Sequence, residues 1–209
     1  MEDHLSRYTL SPELEKLYAH PSEIIAVSSS HSTKFIASSC KSSTPANASI
    51  RIFDSSSFAE IANLKGHGLT VTKIAWAPDD SCLVGVGRDR QWTLFDTETW
   101  SLKRVCAKAH ARILWDVSFL PLEFGRVFVT ASRDKCVKVW TTEGECIATV
   151  KFPEAVTACA CLPEMVGSMA LVAVGLENGR MFILGCDKGS TQWRIVYTFD
   201  ERYVGFECG

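Results

Sequence analysis

A repeat of 42 to 45 residues is the feature that most constrains how this chain can fold. Four segments alternate apolar with other residues, and each ends on a bulky apolar side chain. The closing residues are Phe53, Phe95, Trp140 and Leu184, and successive ones are separated by 42, 45 and 44 residues. A period in this range indicates that each repeat forms one supersecondary unit and that the units pack against one another in a row.

The residues between these segments predict further strands in each repeat. Predicted innermost strands at 70–78, 113–121 and 155–163 alternate with period two, and each stops at a proline, which cannot donate to a strand ladder. The segments that follow are apolar at nearly every position, as expected for strands buried on both faces. Helical periodicity is confined to a short segment at 11–18. We therefore predict an all-β fold, a partial WD40 β-propeller of about four four-stranded blades.

The repeat also predicts the domain organisation. We expect residues 1–209 to form one partial propeller, because no linker interrupts the repeats. The predicted repeats lie at about 18–64, 65–107, 108–150 and 151–199, and a divergent tail follows at 200–209.

Four polar residues of the third repeat occupy the places of the hydrogen-bond tetrad that WD repeats carry. His110 precedes the innermost strand, Thr130 lies on the second strand and Asp134 lies in the turn after it. Because that turn and the loop before the first strand emerge at the same end of a blade, His110 can reach Asp134 and Thr130. The Thr130 hydroxyl can also accept a hydrogen bond from the Trp140 indole, so each buried polar group has a partner.

The other repeats carry parts of this pattern. The second repeat keeps His67 and Asp89 but has Gly85 where the hydroxyl is expected, so we predict that its network is incomplete. The first repeat keeps His20 without an Asp in the turn, and the fourth has Glu177 in the turn and no His.

An Asp, a His and a nearby Thr are also compatible with nucleophilic catalysis. Repetition explains the same residues without any chemistry, and a Trp partner is irrelevant to a nucleophile. The sequence contains none of the motifs that bind dinucleotides or phosphates, ligate zinc or present a nucleophilic serine. We therefore predict that the chain is not an enzyme and that it takes neither a cofactor nor a small-molecule substrate.

Charge and cysteine content limit the other functional classes. The formal net charge of −2 argues against a free-standing nucleic-acid-binding protein. The nine cysteines include no C-x-x-C pair, so free thiols packed as small hydrophobic residues and a zinc site are the two interpretations. No apolar run is long enough to cross a bilayer, and the first residues contain no apolar signal region. We expect a protein of the cytoplasm and nucleus that does not enter membranes.

Basic residues gather in the predicted turns of neighbouring repeats. We expect five of them to emerge on one face as a docking site for an acidic partner surface or RNA phosphate. The alternative is a solvated rim that is partly neutralised by Asp79, Asp80, Asp89, Asp116 and Asp134. The candidate partner-binding residues are Arg88, Arg90, Arg112, Arg133 and Lys135.

The tryptophans are assigned by their positions in the predicted strands. Trp100 and Trp193 lie in outer-strand regions, and we consider them as exposed interface anchors. The residues that we expect in the core are Trp76, Trp92, Trp115 and Trp140.

Several segments are more specific than an ordinary WD repeat. The R-D-R-x-W turn at 88–92 and the H-x-R-I-x-W stretch at 110–115 are the most distinctive. Together with 10–24, 130–140 and 172–184, they resemble the Elongator complex protein 2 family. The resemblance extends over about residues 10–185, corresponds to the carboxy-terminal part of that family, and ends after Cys186.

This resemblance implies a scaffold. Members of the family carry two seven-bladed propellers, so four blades here imply part of the second ring. The family joins the catalytic radical-SAM and acetyltransferase-like subunit of Elongator to its large scaffold subunit. The implied role is support of wobble-uridine modification in tRNA, with at most indirect contact with tRNA. A WD40 adaptor of another intracellular complex is the alternative.

Overall fold

The computed structural model describes residues 15–199, which contain 16 strands and no helix. The strands are β1 (Ile24–Ser29), β2 (Phe35–Cys40), β3 (Ser49–Asp54), β4 (Glu60–Lys65), β5 (Val71–Trp76), β6 (Cys82–Gly87), β7 (Trp92–Asp96), β8 (Leu102–Cys106), β9 (Leu114–Phe119), β10 (Val127–Ser132), β11 (Cys136–Thr141), β12 (Cys146–Lys151), β13 (Val156–Cys161), β14 (Met169–Leu176), β15 (Met181–Asp187) and β16 (Arg194–Phe199). Of the predicted helical segment at 11–18, residues 15–18 are not helical. Residues 11–14 and the predicted tail at 200–209 lie outside the described part of the chain.

The strands form four antiparallel sheets, each of four strands consecutive in the chain. We number these sheets as blades: blade 1 is β1–β4, blade 2 is β5–β8, blade 3 is β9–β12 and blade 4 is β13–β16. The predicted all-β fold with four four-stranded blades is therefore confirmed. The residue limits that we assigned to the repeats stay a prediction.

The blades pack face to face in the order of the chain, with innermost strands β1, β5, β9 and β13 side by side. Buried apolar residues form three clusters, and each cluster lies between two successive blades. Between blades 3 and 4, for example, Val129 and Val139 pack against Val172 and Leu184, and all four are inaccessible to solvent. Burial of a side chain of this size stabilises a fold by about 1.5–3 kcal/mol. The stability of each blade therefore depends on its neighbour.

The second strands show why these residues form sheets buried on both faces. Every residue of β6 and of β10 is buried, because one face of each strand contacts the preceding blade and the other contacts the following blade. Small and β-branched residues fill these strands, and such side chains pack well on a pleated surface. The continuous apolar runs that the sequence shows at β6 and β10 therefore indicate strands that lie between two neighbouring blades.

Each innermost strand is irregular near its start, where its pairing with the second strand shifts by one residue. The additional residue is Ile25 in blade 1, Thr72 in blade 2, Trp115 in blade 3 and Thr157 in blade 4. A β-bulge of this kind redirects a side chain.

Candidate interaction surface and its supporting networks

The structure brings together the four tetrad residues of blade 3. His110 Nδ1 lies 3.0 Å from an Asp134 carboxylate oxygen, and His110 Nε2 lies 2.8 Å from Thr130 Oγ1. The Trp140 indole N–H donates to the same hydroxyl oxygen across 2.9 Å. His110 and Thr130 are buried, so this network is sealed from solvent between blades 2 and 3.

Counting hydrogens assigns a direction to every bond in this network. Thr130 Oγ accepts from the Trp140 indole, and its single hydrogen is donated to His110 Nε2, at 2.8 Å, in preference to Lys138 O, at 3.4 Å. The opposite ring nitrogen, Nδ1, then carries the hydrogen that is donated to Asp134. Burial lowers the pKa of His110, although the Asp134 carboxylate opposes that shift. A neutral His110 between a hydroxyl and a carboxylate therefore satisfies all four side chains.

Asp134 connects this network to the surface turn. Its carboxylate accepts hydrogen bonds from the backbone N–H groups of Ala111, at 2.8 Å, and Cys136, at 3.1 Å. Burial alone would raise the pKa of Asp134, but His110 and these N–H donors hold it below its usual value. The carboxylate therefore stays ionised and holds the turn of 133–136 against the loop at 110–111.

Blade 2 contains the predicted His67–Asp89 pair together with a hydroxyl that the sequence pattern missed. His67 Nδ1 lies 3.0 Å from Asp89, and His67 Nε2 lies 2.9 Å from Thr93 Oγ1. Thr93 is on the third strand, directly opposite Gly85 in the ladder, so its hydroxyl reaches the same space. Our prediction of a network without a hydroxyl was wrong because it searched only the second strand. The residue of the third strand of blade 2 that matches Trp140 is Phe95, whose side chain has no N–H group to donate to Thr93 as the Trp140 indole donates to Thr130.

Blade 1 contains a smaller contact of the same type. His20 Nε2 lies 2.7 Å from Ser38 Oγ on the second strand. Burial lowers the pKa of His20, and the charge of Arg51 lowers it further. The hydroxyl position of the pattern is therefore filled in three blades by Ser38, Thr93 and Thr130.

Catalysis at the tetrad would require a reachable nucleophile. Thr130 is fully inaccessible to solvent, and its oxygen already receives the Trp140 N–H. Thr93 in blade 2 is equally inaccessible. These hydroxyl groups can stabilise the packing of strands. A substrate could contact them only if the interface between two blades opened.

The turns beside these networks carry the predicted basic residues. The Arg88 N–H donates to Thr70 O at 3.0 Å, and the Arg133 N–H donates to Ile113 O at 3.0 Å. These equivalent bonds place the two turns at the same end of blades 2 and 3. We call the exposed residues Arg88, Arg90, Arg112 and Arg133 the arginine surface. Within residues 15–199, none of these four guanidinium groups has a hydrogen-bond or ion-pair partner.

Lys135 differs from the four arginines. Its ammonium group donates to Pro153 O at 2.7 Å and pairs with Glu154 at 3.3 Å. The side chain is only 45% exposed. Lys135 therefore joins blade 3 to the loop before blade 4 and leaves little free charge for a partner.

The acidic residues considered as counter-charges are directed elsewhere. Asp89 and Asp134 face their histidines, and their side chains are only 12% and 11% exposed. Asp116 accepts the Cys159 N–H, and burial raises its pKa. Asp79 pairs with Arg126 and Asp80 accepts two backbone N–H groups, both at the opposite end of the blades. None of these carboxylates pairs with a guanidinium group of the arginine surface, although Asp89 and Asp134 keep their charge in the same two turns.

Comparison with known proteins identifies the family of this chain. The family "WD domain, G-beta repeat" matches residues 58–96 and 101–141. Elongator complex protein 2 of Saccharomyces cerevisiae is 43% identical over 194 residues, covering 88% of this chain and 25% of that protein. The Schizosaccharomyces pombe protein is 42% identical over 200 residues, which cover 92% of this chain and 26% of that protein. The Homo sapiens protein is 34% identical over 204 residues, which cover 86% of this chain and 24% of that protein. The chain belongs to the Elongator complex protein 2 family.

The chain spans about a quarter of the length of these relatives. The resemblance to the Elongator complex protein 2 family is therefore confirmed for the segment in hand. Its placement in the carboxy-terminal part of the family stays a prediction.

The tryptophans of this Elongator complex protein 2 family member are only partly where we expected them. Trp76, Trp92 and Trp140 are buried, as predicted. Trp115 is 38% exposed because it occupies the bulge of β9, so its assignment to the core was wrong. Trp100 packs edge-on against Trp76 and Phe35, and Trp193 packs against Phe124, so both are half-buried.

The cysteines of the described part occur as free thiols. Burial raises the pKa of Cys161 to about 12, and it also raises that of Cys159 well above its usual value. Residues 15–199 contain no cluster of three or more potential metal ligands. Within the same residues no helix is long and apolar enough to span a bilayer.

Proposed function

We propose that this member of the Elongator complex protein 2 family is a non-catalytic scaffold portion of Elongator. It holds the catalytic and large scaffold subunits together and so supports wobble-uridine modification in tRNA, in the cytoplasm and nucleus. The observation that carries the proposal is the arginine surface, four exposed cations without partners on two adjacent blades. Contact with tRNA is indirect, through the partner subunits.

The chemistry of guanidinium groups supports docking of an acidic partner. Arginine presents a planar fork that binds a carboxylate through two parallel hydrogen bonds. A positive region on a chain with net charge −2 also steers an acidic partner toward one end of the blades. The His67 and His110 networks hold the turns of this surface in place, so little ordering is needed on binding.

The test is charge reversal within the protein expressed from its own locus. The variant combines Arg88→Glu, Arg112→Glu and Arg133→Glu, and the matched control is Lys34→Glu, an exposed cation at the opposite end. We expect affinity purification of the triple variant to recover at least about 10-fold less of the other Elongator subunits, since buried interfacial charge contacts are worth 2–5 kcal/mol. Wobble-uridine modification should fall in parallel.

The control variant should recover the subunits normally. Unchanged recovery with a correctly folded triple variant would show that the arginine surface is not the docking site. Recovery of a different set of proteins by the unaltered chain, without Elongator subunits, would favour the adaptor of another complex.

A further inference from the structure

The exposed indole of Trp115 lies at the end of the blades that carries the arginine surface. Trp115 follows Ile113 by two residues, and Ile113 O accepts the Arg133 N–H at 3.0 Å. The equivalent bulge positions hold the smaller residues Thr72 and Thr157 in the neighbouring blades. Among the bulge residues of these innermost strands, only that of blade 3, Trp115, is an aromatic residue exposed to solvent.

A second exposed apolar side chain lies at the same end of blade 2. Thr72 Oγ donates to Leu114 O at 2.6 Å, which joins the starts of β5 and β9. Leu69 precedes β5 by two residues and is 38% exposed, the same fraction as Trp115. Its neighbour Thr70 accepts the Arg88 N–H. Leu69 and Trp115 thus both lie at the end of blades 2 and 3 that carries the arginines.

We propose that Trp115 and Leu69 are the apolar anchors of a site for an acidic peptide segment that carries large apolar side chains. The inference rests on the proposed docking role of the arginine surface and adds the chemistry of the partner. Carboxylates of the segment pair with Arg88, Arg112 and Arg133. Its apolar side chains cover Trp115 and Leu69.

The composition of the site favours a peptide over a nucleic acid. Single-stranded RNA is bound by several aromatic rings on which successive bases stack. Here the exposed apolar residues at this end of blades 2 and 3 are one aromatic ring, Trp115, and one aliphatic side chain, Leu69, which offers no stacking surface. A peptide gains from both residues, since tryptophan and arginine are the residue types that most often dominate the binding energy of protein interfaces.

The first part of the test selects ligands without assuming any partner. A phage-displayed library of random 12-residue peptides is selected on the complete 209-residue chain. We expect enrichment of sequences that combine Asp or Glu with Leu, Ile, Phe or Trp. Failure to enrich any sequence, or enrichment of basic or purely polar ones, overturns the proposal.

The second part measures the selected peptide by fluorescence polarisation. Trp115→Ala should weaken binding at least 10-fold, a loss typical of interface anchors, while Trp115→Phe should retain most of it. Leu69→Ala should weaken binding by several-fold, and the matched control Leu102→Ala, on the exposed outer strand β8, should not. An unchanged melting temperature of Trp115→Ala shows that folding is intact.

Two outcomes separate this inference from the proposed function. Equal binding by Trp115→Ala and the unaltered chain overturns the peptide site, even when arginine reversal abolishes recovery of Elongator subunits. Displacement of the peptide by an oligouridine at lower concentration than by unlabelled peptide also overturns it, in favour of RNA. Loss of peptide binding in Trp115→Ala supports the site, whatever the recovery experiment shows.

Discussion

Thr130 is the residue on which the blade 3 network depends, because one hydroxyl serves both Trp140 and His110. Thr130→Val keeps the shape and leaves an indole N–H and an imidazole nitrogen buried without partners. An unsatisfied buried group costs about 1–3 kcal/mol, so we expect a loss of about 2–4 kcal/mol in the free energy of unfolding. Urea denaturation measures this loss.

The matched variant is Thr93→Val in blade 2. Phe95 stands there in place of the tryptophan, so only His67 loses a partner. The expected loss in the free energy of unfolding is about 1–2 kcal/mol, which is half of the loss expected for Thr130→Val in blade 3. A loss in Thr93→Val as large as in Thr130→Val would contradict this assignment of hydrogen bonds.

Two histidines, the buried His110 and the half-buried His20, make stability depend on pH. Burial lowers the pKa of His110 and of His20 in the folded protein. The unfolded chain therefore binds more protons as the pH falls through the ordinary histidine pKa of about 6.5. Stabilisation is present above that pH and is lost below it, so the melting temperature should be lower at pH 5.5 than at pH 7.5.

A substitution assigns this pH effect to its source. His110→Gln removes one buried titrating ring, so the difference in melting temperature between pH 7.5 and pH 5.5 should shrink. His31→Gln, at an exposed histidine, is the control and should leave the difference unchanged. An undiminished difference in His110→Gln would mean that other groups cause it.

At the scale of the strand, Gly85 shows why β6 departs from the repeat pattern. A Cβ atom at Gly85 would lie 2.6 Å from Ile50 Cδ1 of blade 1 and 3.3 Å from His67 Nε2. The space is therefore filled by the neighbouring blade, and Thr93 already supplies the hydroxyl. We expect Gly85→Ser to lower the free energy of unfolding by about 1–3 kcal/mol through overpacking, although it restores the pattern.

A double substitution isolates the steric cause. Ile50→Val removes the Cδ1 atom and alone costs about 0.5–1.5 kcal/mol. The double variant Gly85→Ser/Ile50→Val should lose less free energy of unfolding than the sum of the losses of the two single variants. We expect the difference to be at least about 1 kcal/mol. Gly68→Ser is the control, since a Cβ there meets no atom within 4 Å. Strict additivity of Gly85→Ser and Ile50→Val would rule out the clash.

At the scale of the whole molecule, no part of residues 15–199 covers the outward, apolar face of blade 4. Ile183 and Tyr197 face each other across β15 and β16, and Tyr197 is 58% exposed. The residue of blade 3 that matches Ile183 is Val139, which is inaccessible because blade 4 covers it. An uncovered apolar face of this kind promotes association. The 209-residue chain should therefore self-associate as its concentration rises.

Sedimentation velocity at increasing concentration measures this association. Tyr197→Lys should shift the protein toward monomer with little change in melting temperature, because the residue is exposed. The matched control is Val105→Lys, at an exposed position of the outer strand β8. A monomer at all concentrations, or equal effects of both substitutions, would contradict association through blade 4.

Much of this architecture could be predicted from local patterns. The strands predicted at 70–78, 113–121 and 155–163 contain β5, β9 and β13, and each ends before its proline. Those features depend on residues close in the chain. The positions of Thr93 and Trp115 could not be predicted in the same way, because a ladder register and a bulge are set by pairing with other strands.

The amino-acid sequence by itself determined the all-β class, the count of four blades and the residues available at each turn. These properties follow from alternation, repeat length and residue type, which are local. Only the tertiary structure decided which hydroxyl meets His67, which tryptophan reaches solvent and which cations form ion pairs. Each of these depends on where a neighbouring strand or blade places its atoms, because packing between distant segments sets burial and pairing.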